Sequence, residues 1–168
     1  MKNHSEKKEI NRIEQRAIEA LAIAPVIKAV SQKIGNDEAL AILKEVNQKE
    51  AFLRGQNTIR TEELNDIEEL IKDVSSWGEG GDWEMEVLEQ TSTTYFFNVL
   101  RCPYYEKYKE IGLDELGVEL SCCRDKPFAK GLSPRLRLSR TKTIMEGADI
   151  CDFRYYLDSK QVGCVSEA

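Results

Sequence analysis

Apolar residues recur every three or four positions at the start of the chain: Ile10, Ile13, Ala17, Leu21, Ala24, Ile27, Val30 and Ile34. That spacing makes one apolar stripe and predicts a helix over residues 5–35. Pro25 falls inside it and is expected to kink or divide the helix. Gly35 supplies a stop, and Asn36 a cap for a second helix to about Arg54, with Leu40, Leu43, Val46 and Leu53 on its buried side. Thr61, followed by Leu64, Ile67, Leu70, Ile71 and Val74, predicts a third and shorter helix capped by Thr61. These helices are expected to serve packing, or a homo-oligomer face.

The period changes after "SSWGEGGDW", a glycine-rich loop over residues 75–83. "WEMEVLEQ" and "TTYFFNVLRC" are rich in β-branched and aromatic residues and read as a hairpin turning near Thr91. "PYYEKYKEIGLDELGVELSCCRDKPFAKG" reads as two helices separated near Gly112 to Gly117, with Pro103 in the first turn of the earlier one. "RLRLSRTKTI" and "ICDFRYYL" read as strands joined across "MEGAD" by Gly147. Three helices followed by β-β-α-α-β-β predict an α+β fold with an antiparallel sheet. The expected organisation is a helical region over 1–76, an α+β ligand-binding or catalytic core over 84–158, and a tail over 159–168.

Composition narrows the function classes. The chain of 168 residues is 41% hydrophobic and 32% charged, enough for a core and a solvated surface. A formal net charge of −6 and a pI near 5.0 repel phosphate backbones, so no nucleic-acid partner is expected. No apolar run approaches the roughly 20 residues that span a bilayer, so no membrane partner is expected. "MKNHSEKKEI" is charged, with no apolar stretch behind it, so no secretory signal is expected. With five cysteines, an odd number, the expectation is reduced thiols in the cytoplasm.

Those thiols carry the candidate chemistry. Cys102 ends the second strand, Cys122 and Cys123 lie in the second connecting helix, Cys151 opens the last strand, and Cys164 lies in the tail. If the strand ends and the connecting helix converge, four thiols line one cavity with Asp125, Glu146 and Asp149 nearby. The bland alternative is that they are small buried hydrophobes. A thiolate near Arg101 or Arg124 is a candidate nucleophile, because positive neighbours favour the reactive form. His4 is the sole imidazole, so acid–base work falls to Asp125 or Glu146 and a Ser-His-Asp or Cys-His arrangement is excluded. No cofactor is expected. A thiolate zinc site is the weaker alternative, lacking a CxxC pair or a nearby histidine. Arg135 and Arg137 share one strand face and Arg140 the other; Arg101, Arg124, Arg137 and Arg140 are candidates to hold a small carboxylate substrate. Tyr104 is a candidate pocket wall, and Trp77 and Trp83 a candidate lid.

"RCPYYEKYKEIGLDELG", "CCRD" and "RTKTIMEGADICDFRYY", in that order, resemble the L-2-amino-thiazoline-4-carboxylic acid hydrolase family over about residues 84–157. The resemblance implies hydrolytic opening of a cyclic isothiourea carboxylate to N-carbamoyl-cysteine. It points to Cys102, Cys122, Cys123, Asp125, Glu146 and Cys151 as candidate catalytic residues, without choosing the nucleophile. The element order and "GADICDF" are also distantly similar to the four-vinyl-reductase type of small-molecule-binding domain. That likeness implies a non-catalytic binding or sensor domain as the alternative. Some of those domains hold zinc through a glutamate and cysteines near this strand, whereas "SRTKTIMEGADI" contains no cysteine.

Overall fold

A computed structural model describes residues 10–158. His4, Cys164, residues 5–9 of the first predicted helix and the 159–168 tail lie outside the described residues. Helix α1 (Arg12–Ile34) starts at Asn11, whose side chain accepts the Glu14 N–H at 2.9 Å while the Glu14 carboxylate accepts the Asn11 N–H at 3.3 Å. Pro25 does not divide it. The helix runs unbroken because Pro25 lies on the exposed side, where water can serve the carbonyl that loses its partner. Gly35, at φ 95°, turns the chain into α2 (Asn36–Gln56) and is itself the cap residue there, in place of Asn36.

The buried faces of the two long helices are built from smaller residues than the stripes predict. Ala17 and Ala20 on α1, with Ala39, Ala51 and Gly55 on α2, are buried, while Leu21, Val46 and Leu53 are exposed. Small side chains let backbones approach closely, and that phase rotates the larger ones outward. Helix α3 (Asp66–Ser75) starts later than Thr61 predicts. Asn65 caps it, accepting the N–H groups of Ile67 at 2.9 Å and Glu68 at 3.1 Å, and Glu68 reaches back to the Asn65 N–H at 2.8 Å. The Thr61 N–H instead donates to the buried Glu69 carboxylate.

Strands β1 (Glu84–Gln90), β2 (Thr94–Arg101), β3 (Leu136–Ser139) and β4 (Cys151–Leu157) form one antiparallel sheet in the order β1-β2-β4-β3. The fold is α+β. The hairpin turns at Thr91, whose hydroxyl accepts the N–H groups of Thr93 at 3.1 Å and Thr94 at 3.0 Å. Tyr95, Phe97 and Val99 on β2 face Tyr155, Phe153 and Cys151 on β4, and alternation puts this row on the inner face. Phe97 and Phe153 stack with ring centroids 4.8 Å apart. Strand β3 is shorter than predicted. Beyond Ser139 the N–H groups of Thr141 and Lys142 donate to the Asp152 carboxylate, at 2.9 and 2.6 Å, so the chain leaves the ladder.

Between β2 and β3 lie α4 (Pro103–Glu110), a 3₁₀ turn, α5 (Gly117–Leu120), a second 3₁₀ turn over Cys122–Arg124, and α6 (Asp125–Leu132). The second predicted helix is thus broken at Ser121 (φ −125°, ψ −61°), and Cys122 and Cys123 sit in the turn ahead of α6. Helix α6 covers the inner face of the sheet with Phe128, Ala129 and Leu132, joined by Ile67, Leu70 and Val74 of α3. Helix α2 crosses α6 glycine to glycine. A Cβ on Gly55 would lie 2.7 Å from the Leu132 nitrogen, and one on Gly131 would lie 3.0 Å from the Phe52 carbonyl carbon. A second cluster of Ala20, Ile27, Leu43, Tyr108 and Leu120 holds the α1–α2 pair onto α4 and α5. Among the described residues, no helix is long and apolar enough to cross a membrane.

Candidate active site

A cavity of about 80 Å³ opens where β2 ends and β4 begins, between the inner sheet face and the helices. That space suits one small organic molecule, since a single water needs roughly 10–15 Å³ on the same measure. Its apolar surface comes from Trp77, Phe128, Met145 and Phe153. Trp77 meets Phe153 edge-on at 5.6 Å and Trp83 at 6.1 Å, so the glycine-rich loop is anchored over the sheet by indole packing.

Three of the predicted thiols line this cavity: Cys102, Cys122 and Cys151. Antiparallel pairing explains how they meet, because it sets Val99, near the end of β2, opposite Cys151, the first residue of β4. Cys102 follows β2 directly and is the cap residue of α4, with Pro103 at the first helical position. Burial raises the Cys102 thiol, and the N–H groups of Tyr105 and Tyr104 in the open first turn oppose that shift. Burial and the Asp125 carboxylate push Cys122 well above the ordinary thiol value. Burial takes Cys151 up to about 11, against a hydrogen bond donated to its sulfur by the Ile144 N–H at 3.2 Å. All three are therefore thiols near neutral pH in the free protein.

Asp125 opens α6 and lies within electrostatic reach of all three sulfurs. Burial raises its carboxyl, and Arg140 works in the opposite direction. Arg140 donates to that carboxylate and, at 2.9 Å, to the Cys122 carbonyl, while its guanidinium stacks 4.9 Å over the Phe153 ring. Burial works against the Arg140 cation, but Asp125 overrides it and holds the cation above its ordinary value. This ion pair ties the turn carrying Cys122 to the chain leaving β3.

The wall facing the helices is rich in arginine. Arg124 is 8% exposed, donates to the Asn47 side chain at 2.6 Å and pairs with Glu50, while its Nε has no partner among the described residues. Burial and the neighbouring Arg16 and Arg12 lower it to about 10, so it stays charged near neutral pH. Arg54 lies 4.1 Å over the Phe128 ring, and its Nε is likewise buried without a partner among the described residues. Asp73 accepts from Arg12 and Arg54, both at 3.1 Å, and from the Trp77 indole N–H at 2.9 Å. Although burial acts to raise the Asp73 carboxyl, the two guanidiniums and the indole hold it below its ordinary value.

The remaining sequence candidates are distributed differently. Tyr104 lines the cavity but donates its hydroxyl to the Trp77 carbonyl at 3.0 Å. Cys123 points away from Cys122 and donates to the Glu119 carbonyl at 3.1 Å, with burial pushing it up to about 12. Glu146 is exposed and accepts from the Thr143 hydroxyl at 2.6 Å. Arg101 is bonded on the surface to Glu106 at 2.7 Å and to Asp82 at 2.8 Å. Arg137 donates to the Pro134 carbonyl at 2.6 Å, and neither Arg101 nor Arg137 reaches the cavity. Asp149 is exposed. Sequence reading missed Arg12, Arg16 and Arg54. The available signal was phase: Arg16 lies three after Ile13 and four before Ala20, in register with the buried face of α1. Among the described residues, no group of three or more histidine, cysteine, aspartate or glutamate side chains is arranged to hold a metal ion.

The sequence profile of a family described as L-2-amino-thiazoline-4-carboxylic acid hydrolase matches residues 15–155, well over half the chain. This chain belongs to that family. In this L-2-amino-thiazoline-4-carboxylic acid hydrolase family member, the matched span begins inside α1 and ends within β4. It therefore covers Cys102, Cys122, Asp125, Arg140 and Cys151, and also the helical wall with Arg16, Arg54 and Arg124, well beyond the motifs after residue 84. A search of curated proteins gives no match to this chain.

Proposed function

We propose that the cavity hydrolyses a small cyclic isothiourea carboxylate of the 2-aminothiazoline-4-carboxylate type to the N-carbamoyl amino acid. The observation that carries this reading is the lining of one small cavity. It brings a carboxylate and three thiols together with five guanidiniums, and the buried Nε atoms of Arg54 and Arg124 have no partner among the described residues. The substrate offers a group for each, an amidine carbon between nitrogen and sulfur for the thiols and carboxylate, and a carboxylate for the guanidiniums. Membership of a hydrolase family supports the reaction class.

Asp125 accepts a hydrogen bond from the amidine and takes the proton of the attacking group. Cys102 is the thiol best supported as nucleophile, because two backbone N–H groups, of Tyr105 and Tyr104, oppose the rise that burial causes, against the single Ile144 N–H at Cys151. Its sulfur adds to the amidine carbon. The ring C–S bond then breaks, and the departing sulfur takes the proton held by Asp125. Water next gives a proton to Asp125 and adds to the same carbon. The Cys102 sulfur leaves, recovers its proton, and the carbamoyl group is released; one water is consumed overall. A second reading, direct attack by water with Asp125 as base, is favoured by the raised pKa of every cavity thiol.

Purified protein with 2-aminothiazoline-4-carboxylate, followed by mass spectrometry for N-carbamoyl-cysteine, tests the proposal. Asp125→Asn is expected to lower kcat by about 10²–10⁴-fold, the usual scale for a positioned acid–base group. Cys102→Ala abolishes turnover under the covalent route and spares it under the water route. No product from wild-type protein refutes the hydrolase reading and leaves a ligand-binding domain.

A further inference from the structure

We infer that Arg12, Arg16 and Arg124 form a carboxylate-binding subsite on the α1 side of the cavity, and that it selects a ligand carrying a single negative charge there. The inference deepens the proposed function and rests on it for the choice of probe, but not for the existence of the subsite.

Arg12 and Arg16 are four residues apart on α1, so their side chains project from the same face one turn apart, and both line the cavity. Each is only partly engaged. Arg12 uses Nη2 on Asp73 at 3.1 Å, and Arg16 uses Nη1 on Glu19 at 2.5 Å; their other nitrogens bond to no described residue. Arg124 approaches from the turn before α6. Its Nη atoms are occupied by Asn47 and Glu50, which leaves its buried Nε as a donor without an acceptor among the described residues. A buried N–H without a partner is rare in folded proteins, and here it belongs to a cation beside two other cations. The three guanidiniums are near enough that Arg16 and Arg12 both lower the pKa of Arg124. An anion between them relieves the mutual repulsion and supplies the missing acceptor.

The charge count specifies the anion. Five guanidiniums line the cavity: Arg12, Arg16, Arg54, Arg124 and Arg140. Four carboxylates pair with them: Asp73, Asp125, Glu19 and Glu50. One positive charge is left over, which matches a monocarboxylate and falls short of a doubly charged phosphate. Planar guanidinium forks suit a carboxylate's two oxygens. Asp73 acts as a positioning residue, fixing Arg12 and Arg54 through one carboxylate oxygen.

Calorimetric titration of the full chain tests this with three probes: 2-aminothiazoline-4-carboxylate, 2-aminothiazoline lacking the carboxylate, and inorganic phosphate. Asp125→Asn protein is used beside wild type so that binding is read without turnover. The carboxylate probe is expected to bind at least 10-fold more tightly than either other probe. Arg12→Gln and Arg16→Gln should each remove about 10-fold of that preference and leave 2-aminothiazoline binding unchanged; Arg16→Lys should restore part of it. Unfolding curves verify that each variant is folded. The inference is overturned if the carboxylate probe does not bind wild-type protein, if phosphate binds as tightly, or if the glutamine variants affect both aminothiazolines equally or neither. Carboxylate binding that depends on Arg16, without product formation by wild type, would retain the subsite and remove the hydrolase reading. Turnover unaffected by Arg16→Gln, with no change in carboxylate affinity, would do the reverse.

Discussion

Replacing Gly131 with alanine tests how the two sides of the site are held together. The new Cβ would lie 3.0 Å from the Phe52 carbonyl carbon and 3.2 Å from the Gln56 nitrogen, and closer still to the Phe52 oxygen. Comfortable carbon contacts begin near 3.5 Å. The opposing atoms are helix backbone, so relief requires α2 and α6 to part by about an ångström. Overpacking of this kind costs about 1–3 kcal/mol, and unyielding backbone puts this case at the upper end. Alanine returns about 1 kcal/mol relative to glycine inside a helix. The expected net loss is about 2 kcal/mol, or about 4–8 °C in Tm for a chain of this size. Gly55→Ala meets α6 from the other side, and one separation of the helices relieves both. The double variant should therefore lose less than the sum of the two singles. Thermal and urea unfolding followed by circular dichroism measure all three. A Gly131→Ala protein as stable as wild type would show that the helices are not in backbone contact.

Other predictions follow from single groups. The Tyr155 hydroxyl is fully buried with no hydrogen-bond partner among the described residues, so Tyr155→Phe should be neutral within about 0.5 kcal/mol, or stabilising, in urea unfolding; a loss above 1 kcal/mol would mean the hydroxyl has a partner. Asp73→Asn leaves two guanidiniums short of their carboxylate and should cost about 3 kcal/mol in the same assay. Because the folded Asp73 carboxyl lies below its ordinary 3.8, its contribution is complete above that pH and is lost as pH falls through the lower folded value. The acid limb of a stability–pH curve should accordingly flatten in Asp73→Asn. If Asp125 is the base, kcat rises with pH through a carboxyl pKa lying above 3.8, a limb that Asp125→Asn removes.

The architecture was legible where local chemistry decides it. Alternation in "TTYFFNV" and "CDFRYY" marks β2 and β4 because one face of each is buried and the other is not. The Thr91 turn was readable from its hydroxyl-rich sequence. Long-range packing hid the rest. Nothing local in "GVELSCCRD" announces the break at Ser121, and β3 is cut short by Asp152, a carboxylate ten residues downstream of Lys142. For the site, Cys102, Cys122, Cys151 and Asp125 were found from residue type, and the structure brings them to one cavity. Of the arginines, Arg124 and Arg140 were named, whereas Arg12, Arg16 and Arg54 were not, because they come from α1 and α2 and reach the cavity only when those helices dock. Conversely, Arg101, Arg137, Cys123 and Glu146 carry the right chemistry by type and point elsewhere.

The placement of β4 between β2 and β3 bears on the order in which the protein can mature. During synthesis β2 and β3 emerge first, and neither has its inner neighbour until β4 follows. A nascent chain halted before residue 151 would leave the inner edge of β2 and both edges of β3 open, the kind of surface that recruits holding chaperones or pairs with other chains. Only insertion of that final strand closes the gap and, with Cys151 and Phe153 on its inner face, lays the cavity floor.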